Sequence, residues 1–171
     1  MKNFTLIMFI AFILSPCVGH GQQNLLTVSG LVTQEGRKCK SATISLYKNN
    51  DLIKQVVTEK NGRFRLDLEL SCNYTIEVEK LDYIAKRISI STNVPHEDAT
   101  LPVYKCYLDI VPEFLFDGID IGKLDFPIAL VGWQDNYHEF YHNAEYTEEM
   151  MIIYEALLEE GFSRNGLAAN N

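Results

Sequence analysis

His138-Glu139-Phe140-Tyr141-His142 forms an H-E-x-x-H pattern. On a helix, residues four apart share a face. Two such histidines can hold zinc while the glutamate acts as general base on a bound water. The flanking sequence argues against that chemistry. Gly132 to Tyr137 lacks the apolar stripe of a helix, and a clear helix start comes only at Thr147. The longer zinc-peptidase continuation needs glycine where Glu145 stands. Glu159 or Glu160 could supply a third ligand, but both fall near the end of a short helix. Only residues 112–162 are available to build a peptidase around the motif. The competing reading is a surface loop with two histidines, so no cofactor is expected.

Aromatic residues crowd the same region. Trp133, Tyr137 and Tyr141 are the candidates for stacking on sugar rings, since aromatic faces suit apolar sugar faces. The competing reading is core packing, because large aromatics are mostly buried. Asp117, Asp120 and Asp125 lack the order of an EF-hand and read as solvated loop acids. Asn73-Tyr74-Thr75 is a formal glycosylation sequon, but it opens a strand. There is no P-loop and no G-x-S-x-G.

The elements that would position these residues are mainly strands. Seven are expected, at about 27–33, 42–48, 52–58, 63–69, 73–80, 83–91 and 103–111. In the fourth, Phe64, Leu66 and Leu68 alternate with Arg63, Arg65, Asp67 and Glu69. Such period-two alternation gives one buried and one wet face. In the sixth, Ile84, Ile88 and Ile90 point inward, but Lys86 breaks the pattern. The third is apolar in both phases. Asn49-Asn50-Asp51 and Lys60-Asn61-Gly62 supply turns, the latter a strong hairpin signal because Asn-Gly accepts positive φ. An eighth short strand is expected at 126–133. A helix then opens at Thr147, with Glu148 and Glu149 in its first turn. It carries Met150, Ile153, Tyr154, Leu157 and Leu158 on one face and stops at Gly161.

The expected fold is therefore mainly β: a seven-stranded Greek-key-type sandwich with a C-terminal extension ending in one α-helix. Residues 27–92 resemble the carboxypeptidase regulatory-like domain family, a transthyretin-like, carbohydrate-binding-like sandwich. The resemblance rests on Gly30 in "VSGLV", the "SATISLY" strand, the "TEKNGRF" turn and Leu81-Asp82-Tyr83. The family usually has glycine where this chain has Ser41. The resemblance implies a non-catalytic accessory module of exported bacterial proteins, with no catalytic residue to carry over. The run "FPIALV…F…EYT" looks like tails that follow this domain in some envelope proteins, which implies an extension of the module.

Met1 to Gly21 reads as a secretory signal peptide: Lys2, then the apolar run Phe4 to Leu14, then small residues, with the cut after Gly21. Pro16 directly before Cys17 fits a lipidation signal badly. The expected organisation is 1–21 signal peptide, 22–111 sandwich, 112–162 extension and 163–171 flexible tail. Lys2 is the one charged residue in the signal, so its removal takes the formal net charge from −8 to −9. No basic cluster offers a nucleic-acid surface, and no later run is long enough to span a bilayer.

Export permits disulfides. If successive strands run antiparallel, Cys39 lies at one end of the sandwich and Cys72 at the other, too far apart to bond. Cys72 and Cys106 share an end and are the one feasible pair. The alternative is that all three stay reduced, with Cys106 a small core residue. The sequence thus points to an exported structural or interaction module of the bacterial cell envelope, in the periplasm or at the surface. Its partner would be an envelope protein or a glycan. A carbohydrate-binding module is the alternative and a zinc peptidase the remote one.

Overall fold

A computed structural model describes residues 25–95, 101–164 and 166. The expected signal peptide, with Cys17, lies outside them, as does the tail beyond Arg164 except Gly166. In chain order the strands are β1 (Leu25–Gln34), β2 (Arg37–Lys38), β3 (Thr43–Lys48), β4 (Asp51–Val57), β5 (Arg63–Glu69), β6 (Asn73–Glu79), β7 (Lys86–Ser91), β8 (Tyr104–Ile110), β9 (Ala129–Gln134) and β10 (Glu139–His142). The helix α1 (Ala144–Arg164) follows. Short 3-10 turns cover Glu113–Phe116 and Gly122–Asp125.

The strands form two sheets around one core, the β-sandwich the alternation predicts. In the first, β1 is central: β5 and the short β2 run antiparallel along one side, and β8 runs parallel along the other. The second has the order β10-β9-β7-β6-β3-β4, antiparallel except where β9 joins β7. Residues 129–142 therefore complete the second sheet. The core takes Leu26, Val28 and Val32 from β1, and Leu66 and Leu68 from β5. Facing them are Ile44, Leu46, Ile76, Val78 and Ile90 of the second sheet.

Local chemistry explains several joints. Gly30 lies under the Phe64 ring, which would overlap any Cβ there. Gly62 has φ +75 in the β4–β5 turn, and a Cβ would overlap the Val32 carbonyl oxygen. Two buried threonines tie the chain where it crosses between sheets. Thr58 Oγ1 accepts from Ala42 N at 3.0 Å and donates to Cys39 O at 2.8 Å. Thr92 Oγ1 accepts from Cys72 N at 3.0 Å and donates to Glu69 O at 2.8 Å.

Five details differ from the sequence reading. β2 and β10 are additional strands, too short to show as periodic runs. The sixth expected strand begins at Lys86, with Tyr83 only bridging Pro112. Lys86 follows the alternation after all, because its side chain points inward and is buried. The helix is longer at both ends than 147–161. Asn143 caps it, its Oδ1 accepting from Tyr146 N at 3.0 Å, so Thr147 lies inside the first turn. Gly161 lies within the helix, where it packs closely against Leu115.

The fifth concerns the cysteines. Cys39, Cys72 and Cys106 are free thiols in this structure, so the one feasible pair, Cys72 and Cys106, is unbonded here. Cys106 stands inside β8 opposite Gly30, five positions further along β1 than Leu25, where β5 ends. Cys72 sits beyond that end, in the crossover to β6.

Candidate functional site

The H-E-x-x-H residues are not helical. His138 closes the β9–β10 turn with φ +51, Glu139 opens β10 and His142 ends it. A strand rises about 3.4 Å per residue, so Glu139 to His142 alone spans about 10 Å. On a helix, residues four apart would be about 5–6 Å apart. The extended backbone thus lacks the one-face arrangement that the helical motif needs. His142 instead stacks on Tyr141, with ring centroids 4.2 Å apart and planes at 25°. Among the described residues no group of three or more His, Cys, Asp or Glu could hold a metal ion.

Nor do the three aromatic candidates form one platform. The β9–β10 register sets Trp133 opposite Phe140 and Tyr141 opposite Gly132. Neighbouring pairs point to opposite faces, so Trp133 and Tyr141 project away from each other. Trp133 meets the buried Phe140 edge-on at 5.5 Å and donates from Nε1 to Asp135 Oδ1 at 2.8 Å. Tyr137 and Tyr141 are exposed, but their rings tilt at 49° and are 6.1 Å apart.

What the fold does assemble is a cleft of about 660 Å³ between β8 on one side and β10 and the start of α1 on the other. Its floor includes Ile88, Cys106, Leu108 and Phe140, all buried. Tyr107, Tyr141, Val103 and Met151 stand exposed at its rim. Among the described residues β8 pairs with β1 alone. Its other edge faces the cleft with unpaired backbone groups, a template for another strand.

Burial holds two ionisable groups of the cleft, Cys106 and Tyr104, in their neutral forms. Burial pushes the Cys106 thiol up to about 12. At neutral pH it is therefore not a nucleophilic thiolate. Burial, with smaller effects of Cys106 and Tyr141, also raises Tyr104. The cleft thus offers apolar surface, aromatic rims and free backbone hydrogen-bonding groups. Its β8 wall was missed in the sequence; the exposed Tyr107 between Lys105 and Asp109 was the available signal.

A second polar cluster lies on the outer face of the second sheet. Glu77, buried on β6, accepts from Arg87 Nε at 2.6 Å and from Tyr47 OH at 2.9 Å. Arg87 also donates to Asp125 O at 2.8 Å, pinning the extension to the sheet. Its hydrogen bonds explain it as structure.

No protein-family model and no curated protein matches the chain. Solved structures give distant likenesses. The major pilin subunit BcpA of Bacillus cereus is 19% identical over 50% of this chain and 28% of its own, with a TM-score of 0.39. Catechol 1,2-dioxygenase from Pseudomonas arvilla C-1 is 9% identical over 56% of this chain and 54% of its own, at 0.38. The Bacillus anthracis TIE protein is 15% identical over 52% and 17%, at 0.38. The chain spans less than two thirds of each of these structures.

Proposed function

We propose that this chain is an exported, non-enzymatic interaction module of the bacterial cell envelope that receives an extended polypeptide segment at the free edge of β8. One observation carries the reading: a strand edge with no pairing partner among the described residues forms a wall of a cleft with an apolar floor and an aromatic rim. Strand addition to such an edge draws affinity from backbone hydrogen bonds and specificity from alternate side chains. The signal-peptide pattern of residues 1–21 supports export. The family resemblance of residues 27–92 supports an accessory role. The glycan reading is less well supported, because Trp133 points away from Tyr141 and the Tyr137–Tyr141 pair is tilted.

The test is capture from envelope fractions with the wild type and with a Tyr107→Ala/Tyr141→Ala variant. A protein retained by the first and lost by the second supports the reading. Equal retention by both, or hits on a glycan array that survive the double substitution, would overturn it.

A further inference from the structure

The outward face of β8 carries a pattern that points to one occupant. The parallel register with β1 sets Lys105 beside Ser29, Tyr107 beside Leu31 and Asp109 beside Thr33. All three side chains of β8 are exposed, Tyr107 at 73%. Lys105 has no salt bridge among the described residues. Asp109 uses Oδ1 to accept from Thr33 Oγ1 at 2.6 Å and Gly36 N at 3.3 Å. No hydrogen bond to its other oxygen is described, although its charge also reaches Lys86. The strand therefore presents a cation, an aromatic ring and an anion in a row at two-residue spacing.

We propose that the segment received at the β8 edge is β8 of a second copy of this chain, paired antiparallel about a two-fold axis at Tyr107. The inference rests on the reading of that edge as a strand acceptor and names its partner. A two-fold axis perpendicular to a sheet keeps each side chain on its own face, so every pair joins residues an even number of positions apart. Centred on Tyr107, the pairing sets Lys105 opposite Asp109 of the second copy, and does so twice. Tyr107 meets its own counterpart between them, and Cys106 meets Leu108 beneath.

The neighbouring registers lack this match. Centring on Cys106 sets Lys105 opposite Tyr107, and centring on Leu108 sets Asp109 opposite Tyr107. Centring on Lys105 or on Asp109 opposes like charges, which is unfavourable in directly facing pairs. Only the Tyr107 register gives both charges an opposite partner. The result is one sheet running β5-β1-β8 into β8-β1-β5, with both β8 edges closed.

The charges make a sharp test. Lys105→Asp alone opposes Asp to Asp across the dyad, and Asp109→Lys alone opposes Lys to Lys. Mixed together, the two variants restore two opposite-charge pairs. By analytical ultracentrifugation the wild type is expected to dimerise with rising concentration, each variant to sediment as a monomer, and the equimolar mixture to dimerise. Circular dichroism checks that each variant folds, since Asp109→Lys also loses the Thr33 bond. Tyr107→Cys, at an exposed position, gives a second readout: a disulfide-linked dimer on a non-reducing gel. A wild type that stays monomeric at its highest soluble concentration overturns the inference. So do single variants that still dimerise, a mixture that does not, or a Tyr107→Cys chain that fails to cross-link. A monomeric wild type that still captures an envelope protein through Tyr107 and Tyr141 sinks the dimer and leaves the acceptor edge standing.

Discussion

Gly161 of α1 packs directly on the Leu115 carbonyl oxygen, so closely that any Cβ would overlap that atom. The contact lets the last turns of the helix lie against the 3-10 turn at Glu113–Phe116. Leu115 and Phe116 there join Ile84, Leu124 and Tyr154 in a second apolar cluster. Arg164 finishes the join by donating to Gly118 O at 2.9 Å.

Gly161→Ala should therefore destabilise the chain even though alanine favours a helix. Backbone is the clashing partner and yields little, so overpacking should cost about 1–3 kcal/mol, against a propensity gain of about 1 kcal/mol. Thermal melts and limited proteolysis of α1 measure it. Gly132→Ala is the control, because a Cβ there meets nothing within 4 Å. It should leave the midpoint unchanged or raise it.

Lys86 carries an inverted pH dependence. Its Nζ sits 4.1 Å from the centroid of the Tyr154 ring, and the Tyr154 hydroxyl is buried with no hydrogen-bond partner among the described residues. Burial, partly opposed by the charge of Asp109, lowers Lys86 from 10.5 to about 8. Below pH 8 the ammonium is charged in both folded and unfolded chains, and its full desolvation cost is present. Between about 8 and 10.5 the unfolded chain holds a proton the folded one has released, so this group's contribution to stability rises with pH. The gap corresponds to roughly 3 kcal/mol. Lys86→Met should raise stability at pH 7 by up to about that amount. The advantage over wild type should vanish by about pH 10.5, as read from paired urea titrations. A constant advantage across that range would show that the ammonium is not the cause.

The sandwich was legible because β1, β5, β7 and β8 each bury one face. Phe64-Leu66-Leu68 and Tyr74-Ile76-Val78 could adopt only one phase, and both did. What was hidden depended on contacts distant in sequence. Gly161 looks like a helix stop until residue 115 is placed against it. Lys86 looks like an error in a strand until the Tyr154 ring is placed under its ammonium. The cleft was hidden for the same reason, since β8 and β10 form its walls from separate sheets. The H-E-x-x-H spacing implied zinc only on a helix, and the strand conformation of 139–142 removed that geometry.

The metal prediction follows from that conformation. Equilibrium dialysis should find no stoichiometric zinc, and chelator treatment should leave the melting temperature unchanged. His138→Ala should cost little; its φ of +51 makes His138→Gly the better replacement, neutral or mildly stabilising. Tight one-to-one zinc lost on either histidine substitution would refute this account of the turn.

The Glu77–Arg87 pair should show how strongly the outer face depends on a buried charge. Glu77 is buried, and Arg87 approaches it at 2.6 Å while remaining about one-third exposed. Arg87→Met leaves the Glu77 carboxylate with Tyr47 OH as its one described side-chain donor and removes the tie to Asp125 O. Breaking a buried pair in this way costs about 3–5 kcal/mol; the partial exposure of Arg87 places this case at the low end. Glu77→Met/Arg87→Met removes both charges and should recover most of the loss, because no unpaired charge stays buried. Urea midpoints of the two single variants and the double give the coupling directly. Equal losses in the single and double variants would assign the effect to the Asp125 tie rather than to the ion pair.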